Sequence, residues 1–493
     1  MKALGRLEKV RGTWFVIIIS FVFFLLRLPS FFEPYWYGDE GIYQVLGIAM
    51  NHGKLLYRDI FDNKPPLLYF LYSIFGSDQF SVRFVSFIFG LTAVIFFYLI
   101  VKKFLKSEKN VFLTTGIFAV LFGLPLIEGN IANSENFMLP FALVAVFLIF
   151  KVIEEQIENK KIFLIGLSGF LLGISFLFKI VAVFDFAAFF VFLFFWKFDK
   201  FSNLLNKKFW VTQIKNLSTF AAGFLSPILF VSLVFVLHGA FADFIKATFF
   251  SNIGYVGYGN KFIIPQGFLI LKLGLLAIFV LLIFWKRKKF GPFATLTLLW
   301  LGFSLFNAFF SQRPYTHYVL VLLPSFVLLL GLALDNVKYK SFYSLVFLVT
   351  FILAATNFWY FGKTIFYYQN FMSFISSQKS ISNYEKFFDN STPRDYEIAD
   401  YINARTNAKD NLFIWGNNAQ VYKLTNKLPP AKYAVAYHIS SYKDGVSITN
   451  KGLTKTKPKF IVVMPNVSMY PFSLKGYLLR ISLNGALIYE KVF

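Results

Sequence analysis

Apolar runs of about twenty residues recur along most of this chain, and that one pattern fixes its solvent. An α-helix of that length is what crosses the roughly 30 Å hydrocarbon core of a bilayer. Such runs lie near 14–32, 82–101, 111–127, 136–151, 162–179, 181–196, 216–238, 264–285, 292–310, 316–334 and 342–361. The expected fold is therefore an α-helical polytopic membrane protein with about 11 transmembrane helices. Composition agrees, since 57% of the residues are hydrophobic and only 15% are charged, well outside the range of soluble domains.

The N-terminal "MKALGRLEKVRGTW" is basic and precedes an apolar run. That run is too long for a secretory signal, and no small-x-small cleavage site follows it, so it reads as an uncleaved first helix. The formal net charge of +24 would suggest nucleic acid on a soluble protein. Here the base clusters fall between apolar runs, so they are a topology signal and no nucleic-acid partner is expected. "KKFLKSEK" (102–109), "EEQIENKK" (154–161), "KFDKFSNLLNKK" (197–208), "KRKK" (286–289) and "DNVKYK" (335–340) all fall on the side of the N-terminus. The positive-inside rule puts that side in the cytoplasm. An odd number of spans then leaves the C-terminal tail on the outer face of the cytoplasmic (inner) membrane. The absence of Cys excludes disulfides, thiolate chemistry and Cys-ligated metals.

Three stretches do not read as spans: a first external loop of 33–81, a stretch at 239–262, and the tail 365–493. The domain division is a membrane module at 1–364 and a small external α/β domain at 365–493. In the tail, "TPRDYEIADYINART" has helical pattern, with Thr392 as N-cap, Pro393 at N1 and Asp395 as a capping acid. "NLFIWG", "KFIVVMP" and "ALIYEKVF" read as strands.

The outer stretches carry amphipathic segments. After Asp39, the residues Ile42, Val45, Leu46 and Ala49 form a stripe at helical spacing, too short to span, which predicts a helix lying flat in the interface. A second segment starts at Pro65-Pro66 and runs through Leu68, Leu71, Tyr72 and Phe75. A third is "FADFIKATFF" (241–250). Either they frame a cavity at the outer leaflet or they are ordinary loop helices packed on the bundle.

The densest ionisable cluster lies beside them, in "YWYGDEGIYQ" and "YRDIFDNKPPLLYF". Suppose the substrate is a sugar on a polyprenyl phosphate, to be moved to a hydroxyl. The phosphate leaves without needing a proton, so one carboxylate suffices as general base. Positive charge is needed where phosphate charge builds up. Asp39 and Glu40 are the candidate catalytic acids, and Arg58 and Lys64 the candidate phosphate-binding bases. Both acids also fit the simpler role of capping a helix N-terminus. "SQRPYTHYVLVLLP" adds Arg313, His317 and Tyr318 at the same face. Glu135 is a possible second acid, or a solvated loop residue, as is Glu128. Arg27 reads as a snorkelling anchor. Lys179 and Asp185 lie either at membrane depth or in a short external turn. No nucleotide-binding fingerprint is visible, as a lipid-phosphate donor requires.

The stretch "GDEGIYQVLGIAMNHGKLLYRDIFDNKPPLLYFLYSIFG" resembles the first external loop of bacterial glycosyltransferase family 39. That family has the GT-C fold and includes dolichyl-phosphate-mannose protein mannosyltransferases and relatives that transfer aminoarabinose to lipid A. "GISFLFK", "RPYTHYVLVLLP" and "LFIWGNNAQVYKLTNKLPPAKY" extend the likeness over nearly the whole chain. The resemblance implies an inverting transferase using a polyprenyl-phosphate sugar. On it, Asp39 matches the family's catalytic acid and Lys64 the base near the carrier phosphate, with Arg313, His317 and Tyr318 in a late external motif. It implies a lipid, glycan or protein acceptor and contact with membrane lipids. No cofactor is expected. The chain lacks room for the folded middle-loop domain of the eukaryotic protein mannosyltransferases.

Two rival functions stay in view. A flippase of lipid-linked glycans calls for charge pairs deep in the spans and internal repeats. An oligosaccharyltransferase calls for a divalent metal, for which Asp39 with Glu135 is the candidate pair.

Overall fold

The computed structural model describes residues 2–198, 205–253, 269–311, 313–465 and 467–492. In chain order the helices are α1 (Lys2–Arg27), α2 (Gly38–Asn51), α3 (Pro66–Ile74), α4 (Gln79–Phe104), α5 (Glu108–Gly123), α6 (Ser134–Glu154), α7 (Glu158–Phe178), α8 (Val183–Lys197), α9 (Lys207–Leu237), α10 (Phe241–Ile245), α11 (Leu269–Ala308), α12 (His317–Asp335) and α13 (Lys340–Asn357). The tail adds α14 (Thr364–Ile375), α15 (Ile381–Phe388), α16 (Thr392–Asn403), β1 (Leu412–Trp415), α17 (Gln420–Thr425), α18 (Ala436–Ser441), α19 (Gly445–Thr456), β2 (Phe460–Val463), β3 (Tyr477–Leu483) and β4 (Ala486–Lys491). Residues 254–262 of the external stretch 239–262, the first residues of the 264–285 run and part of the 197–208 base cluster lie outside the described residues.

Each of the eleven apolar runs is mainly helical among the described residues, but the helices differ in reach. Among the described residues, eight helices are long and apolar enough to cross a membrane. One of them, α11, carries two of the expected runs. Gly291 breaks it with φ 79° and ψ 169°, and Pro292 follows. Glycine is the residue that takes a positive φ without steric cost. The runs at 111–127 and 181–196 form α5 and α8, of 16 and 15 residues. At 1.5 Å per residue these rise only about 22–24 Å, short of a full crossing. The chain is a multi-pass membrane protein.

The chain divides into two compact units. The first holds Met1–Leu28, Val85–Val234 and Phe250–Thr364. Within it, α7 and α9 approach closely. A Cβ on Gly169 would stand 2.1 Å from the Phe220 carbonyl oxygen, and one on Gly223 would stand 2.2 Å from that of Gly166. Small residues let membrane helices meet backbone to backbone, where dispersion replaces the missing hydrophobic drive. Ser168 and Ser175 of α7 donate to the carbonyls of Ala145 and Met138 in α6, both at 3.0 Å. Arg27 is not a snorkelling anchor. It is fully buried, and its guanidinium donates to Ser86 Oγ at 3.1 Å. Asp185, in the first turn of α8, is buried and accepts from Trp300 Nε1 at 2.7 Å.

The second unit holds Pro29–Phe84, Phe235–Phe249 and Ile365–Phe493. Its sheet has the order β1-β2-β4-β3. β1 pairs parallel to β2, while β4 runs antiparallel to β2 and to β3. Three strands match the sequence expectation and β3 was not anticipated. Its residues are mostly exposed, so it lacks the alternation that marks a half-buried strand. The better signal was the turn. Asn484-Gly485, both at positive φ, is the dipeptide that two-residue hairpins favour. In α16 the N-cap is Ser391, one residue earlier than expected. Asp395 does not cap. It is buried and accepts from Asn418 at 2.6 Å and Gln420 at 2.8 Å.

α2 also departs from the sequence reading. All ten residues from Glu40 to Ala49 are buried, so the helix is a core element of this unit rather than one lying flat in an interface. A Cβ on Gly41 would stand 2.7 Å from Gln420 N, and one on Gly47 would stand 2.9 Å from Ser73 N. The tail and the first loop therefore pack closely on two different faces of α2. α3 begins as expected, with Pro65 as N-cap and Pro66 in the first turn.

The unit is tied at Arg83. Its Nη1 lies 2.7 Å from Glu33 Oε2 and its Nη2 lies 2.5 Å from Glu40 Oε2. Nη1 also donates to the Ser30 carbonyl at 2.8 Å. Tyr367 of the tail donates to Glu33 Oε1 at 2.6 Å. All three charged side chains are essentially unexposed. Removing one member of a buried ion pair strands its partner, at a cost of about 3–5 kcal/mol. Arg83→Met is expected to lower thermal stability in detergent by that order. A variant that melts like the parent would show that Glu33 and Glu40 do not depend on Arg83.

Candidate active site

Two polar clusters arise, one inside each unit. In the second unit, α2 begins with Asp39 and Glu40, and the helical step of about 100° sends neighbours in different directions. Glu40 turns inward to Arg83 and is 2% exposed. A carboxylate so enclosed does not reach an incoming hydroxyl, so the geometry makes Glu40 structural. Asp39 turns to Lys64. Lys64 Nζ lies 3.2 Å from Asp39 Oδ2 and 3.9 Å from Asp62 Oδ2. The Tyr43 hydroxyl donates to Asp39 Oδ2 at 3.0 Å, and the Lys64 ammonium sits 4.7 Å from the Tyr43 ring centroid. The Asp39 side chain remains 36% exposed, so it is held and yet reachable. Arg58 lies in the same loop but points away. It pairs with Asp59 at 3.0 Å and is half exposed.

Beneath Lys64 is a layer the sequence reading did not weigh. Asp62 is buried and accepts from Tyr69 at 2.8 Å. Tyr57 donates to the Lys64 carbonyl at 2.7 Å. Burial pushes the phenols of Tyr43, Tyr57 and Tyr69 far above their usual range, so all three hydroxyls remain donors at neutral pH. His438 of α18 brings Nε2 to 3.7 Å from Asp62 Oδ1. Burial drives its imidazole down to about 4, against the opposing pull of Asp62. Asp62 stood in plain view in "FDNKPP". His438 is a lone tail histidine that only the fold brings near.

The first unit gathers three other expected residues. Glu135, fully buried in the first turn of α6, pairs with Lys179 at the end of α7 and accepts from Ser134 at 2.9 Å. His317 places Nδ1 3.0 Å from Glu128 Oε2 and Nε2 3.8 Å from Glu135 Oε1. Tyr318 offers its ring to the Lys179 ammonium at 4.9 Å. Glu135, His317 and Tyr318 thus meet around Lys179. Arg313 faces elsewhere, into a cavity of about 480 Å³ with Lys272, Phe309 and Phe358. Lys272 donates there to the Phe309 carbonyl at 2.8 Å. Glu128 and Glu135 are therefore paired side chains rather than solvated loop acids.

His438 generates a prediction about acid. Its folded pKa of about 4 is below the ordinary value of about 6.5. The unfolded chain therefore binds the extra proton first, and stability present above about pH 6.5 is lost as pH falls toward 4. His438→Gln should flatten this part of the acid sensitivity, read as melting temperature against pH. Parallel curves for the two proteins would contradict a buried neutral imidazole.

Residues 63–230 match the family model described as dolichyl-phosphate-mannose-protein mannosyltransferase. No curated protein matches the chain significantly. Among solved structures, ArnT from Cupriavidus metallidurans in the apo state is 13% identical with a TM-score of 0.57, covering 99% of this chain and 98% of that one. ArnT bound to undecaprenyl phosphate is 12% identical with a TM-score of 0.55, covering 97% of each chain. The archaeal oligosaccharyltransferase AglB from Archaeoglobus fulgidus, in complex with an inhibitory peptide and a dolichol-phosphate, is 12% identical with a TM-score of 0.50, covering 93% of this chain and 70% of that one. At these identities the structural likeness speaks to fold. The fold is GT-C-like, as in ArnT, and residues 63–230 carry the likeness to the mannosyltransferase family.

Proposed function

We propose that the protein is a membrane glycosyltransferase that moves a sugar from a polyprenyl-phosphate donor to an acceptor hydroxyl. The family match and the GT-C fold support the class. The observation that carries the chemistry is the Asp39–Lys64 pair at 3.2 Å, half open and braced by Tyr43. Asp39 accepts the proton of the acceptor hydroxyl as its oxygen attacks the anomeric carbon. The bond from that carbon to the phosphate oxygen breaks, and polyprenyl phosphate leaves unprotonated. A single displacement inverts the anomeric centre. Lys64 meets the charge that grows on the phosphate. Because an ammonium already stands there, the reaction needs no divalent metal. The acceptor class is a lipid, glycan or protein hydroxyl. The reaction face is the outer one, with the N-terminus cytoplasmic, as the alternation of basic loops supports.

Purified protein with a synthetic polyprenyl-phosphate sugar tests this by release of polyprenyl phosphate. Asp39→Asn keeps the shape and removes the base, and turnover should fall by roughly 10²–10⁴, the usual share of general-base catalysis. Transfer near the parental rate would overturn the mechanism. Turnover should also survive EDTA, and dependence on an added divalent cation would count against the metal-free reading. Protease added to intact spheroplasts should cut the tail, whereas protection until lysis would reverse the topology.

A further inference from the structure

Lys64 is held more firmly than a lysine in a solvent-facing loop needs to be. Its backbone N–H donates to the Tyr69 hydroxyl oxygen at 3.1 Å, and its carbonyl accepts from Tyr57 at 2.7 Å. Its ammonium stands between Asp39 and Asp62. The Tyr69 hydroxyl proton is committed to Asp62 Oδ2 at 2.8 Å, which turns the oxygen's lone pair toward the Lys64 amide. Asp62 Oδ1 accepts the Asn63 amide at 2.8 Å. Asp62, Tyr57 and Tyr69 are each no more than 1% exposed. Burying a carboxylate is costly unless its charge and lone pairs are answered, and these contacts answer them. The neighbouring His438 is neutral at pH 7, so it does not compete with Lys64 for the charge of Asp62.

We propose that Asp62 and Tyr69 are positioning residues for the donor phosphate, acting through Lys64. Tyr69 relays the fixed orientation of Asp62 to the Lys64 backbone. Asp62 also holds the ammonium, so that it stays beside Asp39. The inference rests on the reading that Lys64 meets the donor phosphate.

The test uses full-length protein in detergent and follows donor KM, kcat and inhibition by sugar-free polyprenyl phosphate. Tyr69→Phe keeps the ring and deletes the hydroxyl. Donor KM and the inhibition constant should both rise roughly tenfold, the scale of one hydrogen bond to a charged group, with a smaller change in kcat. Asp62→Asn retains an acceptor for Tyr69 and removes the charge, and should shift the same two constants in the same direction. In a Lys64→Ala background, Tyr69→Phe should add nothing further to the inhibition constant. A merely structural role would lower stability in both backgrounds without this dependence on Lys64. Unchanged donor KM and inhibition in folded Tyr69→Phe would overturn the proposal, as would an undiminished effect of that change in the Lys64→Ala background. If Tyr69→Phe is not recovered folded, Asp62→Asn decides by the same readout. Failure here would leave the Asp39→Asn loss intact, whereas failure of the glycosyltransferase reading would be seen as absence of transfer by the parent protein.

Discussion

The buried triad of Arg83, Glu33 and Glu40 is the constraint on which the second unit depends. Three ionised side chains with almost no exposure persist only when every charge is met, because each one unpaired carries a desolvation penalty of several kcal/mol. The triad joins the segment after α1, the start of α2 and the start of α4, and Tyr367 ties in the tail. Its consequence reaches the site. With Glu40 pinned inward, the rotation of α2 is fixed, and Asp39 must face Lys64. Two adjacent acids, nearly alike in sequence, thereby meet different partners.

The membrane architecture was largely legible, since hydropathy and helix length are set by the bilayer rather than by partners. Misreadings arose where tertiary contacts decide. α2 has the stripe of an interfacial helix, yet it also carries the polar residues Gln44 and Glu40. Both are buried, because Gly41 and Gly47 admit neighbouring backbone that no periodicity reveals. Arg27 looked like an anchor because an arginine near a span end usually is, and its true partner, Ser86, is distant in sequence. β3 was hidden by its exposure, although the Asn-Gly turn beside it was readable.

The site divides in the same way. Asp39 and Lys64 share a loop and could be paired from their charges alone. Glu135 and Lys179 lie 44 residues apart, and only the fold makes them one buried pair. Asp62 went unweighed because acids in a mixed-charge loop are usually solvated, and only burial beneath Tyr69 makes it distinctive. Arg58 shows the converse. It has the right charge in the right loop, but its neighbour Asp59 claims it.

The charge balance around Lys64 has a consequence for catalysis. With Asp39 and Asp62 ionised, one ammonium serves two carboxylates, and the trio carries a net negative charge. Under the proposed chemistry the balance changes during the reaction. As the acceptor proton moves onto Asp39, that carboxylate loses its charge and its hold on Lys64 weakens. At the same moment the departing phosphate gains charge and calls on the same ammonium. Asp62 keeps Lys64 in place through the exchange, because it is buried and takes no part in the proton transfer. The cation that holds the bound donor thus also meets the charge of the leaving group, so its interaction is felt in donor binding and is kept through the transition state.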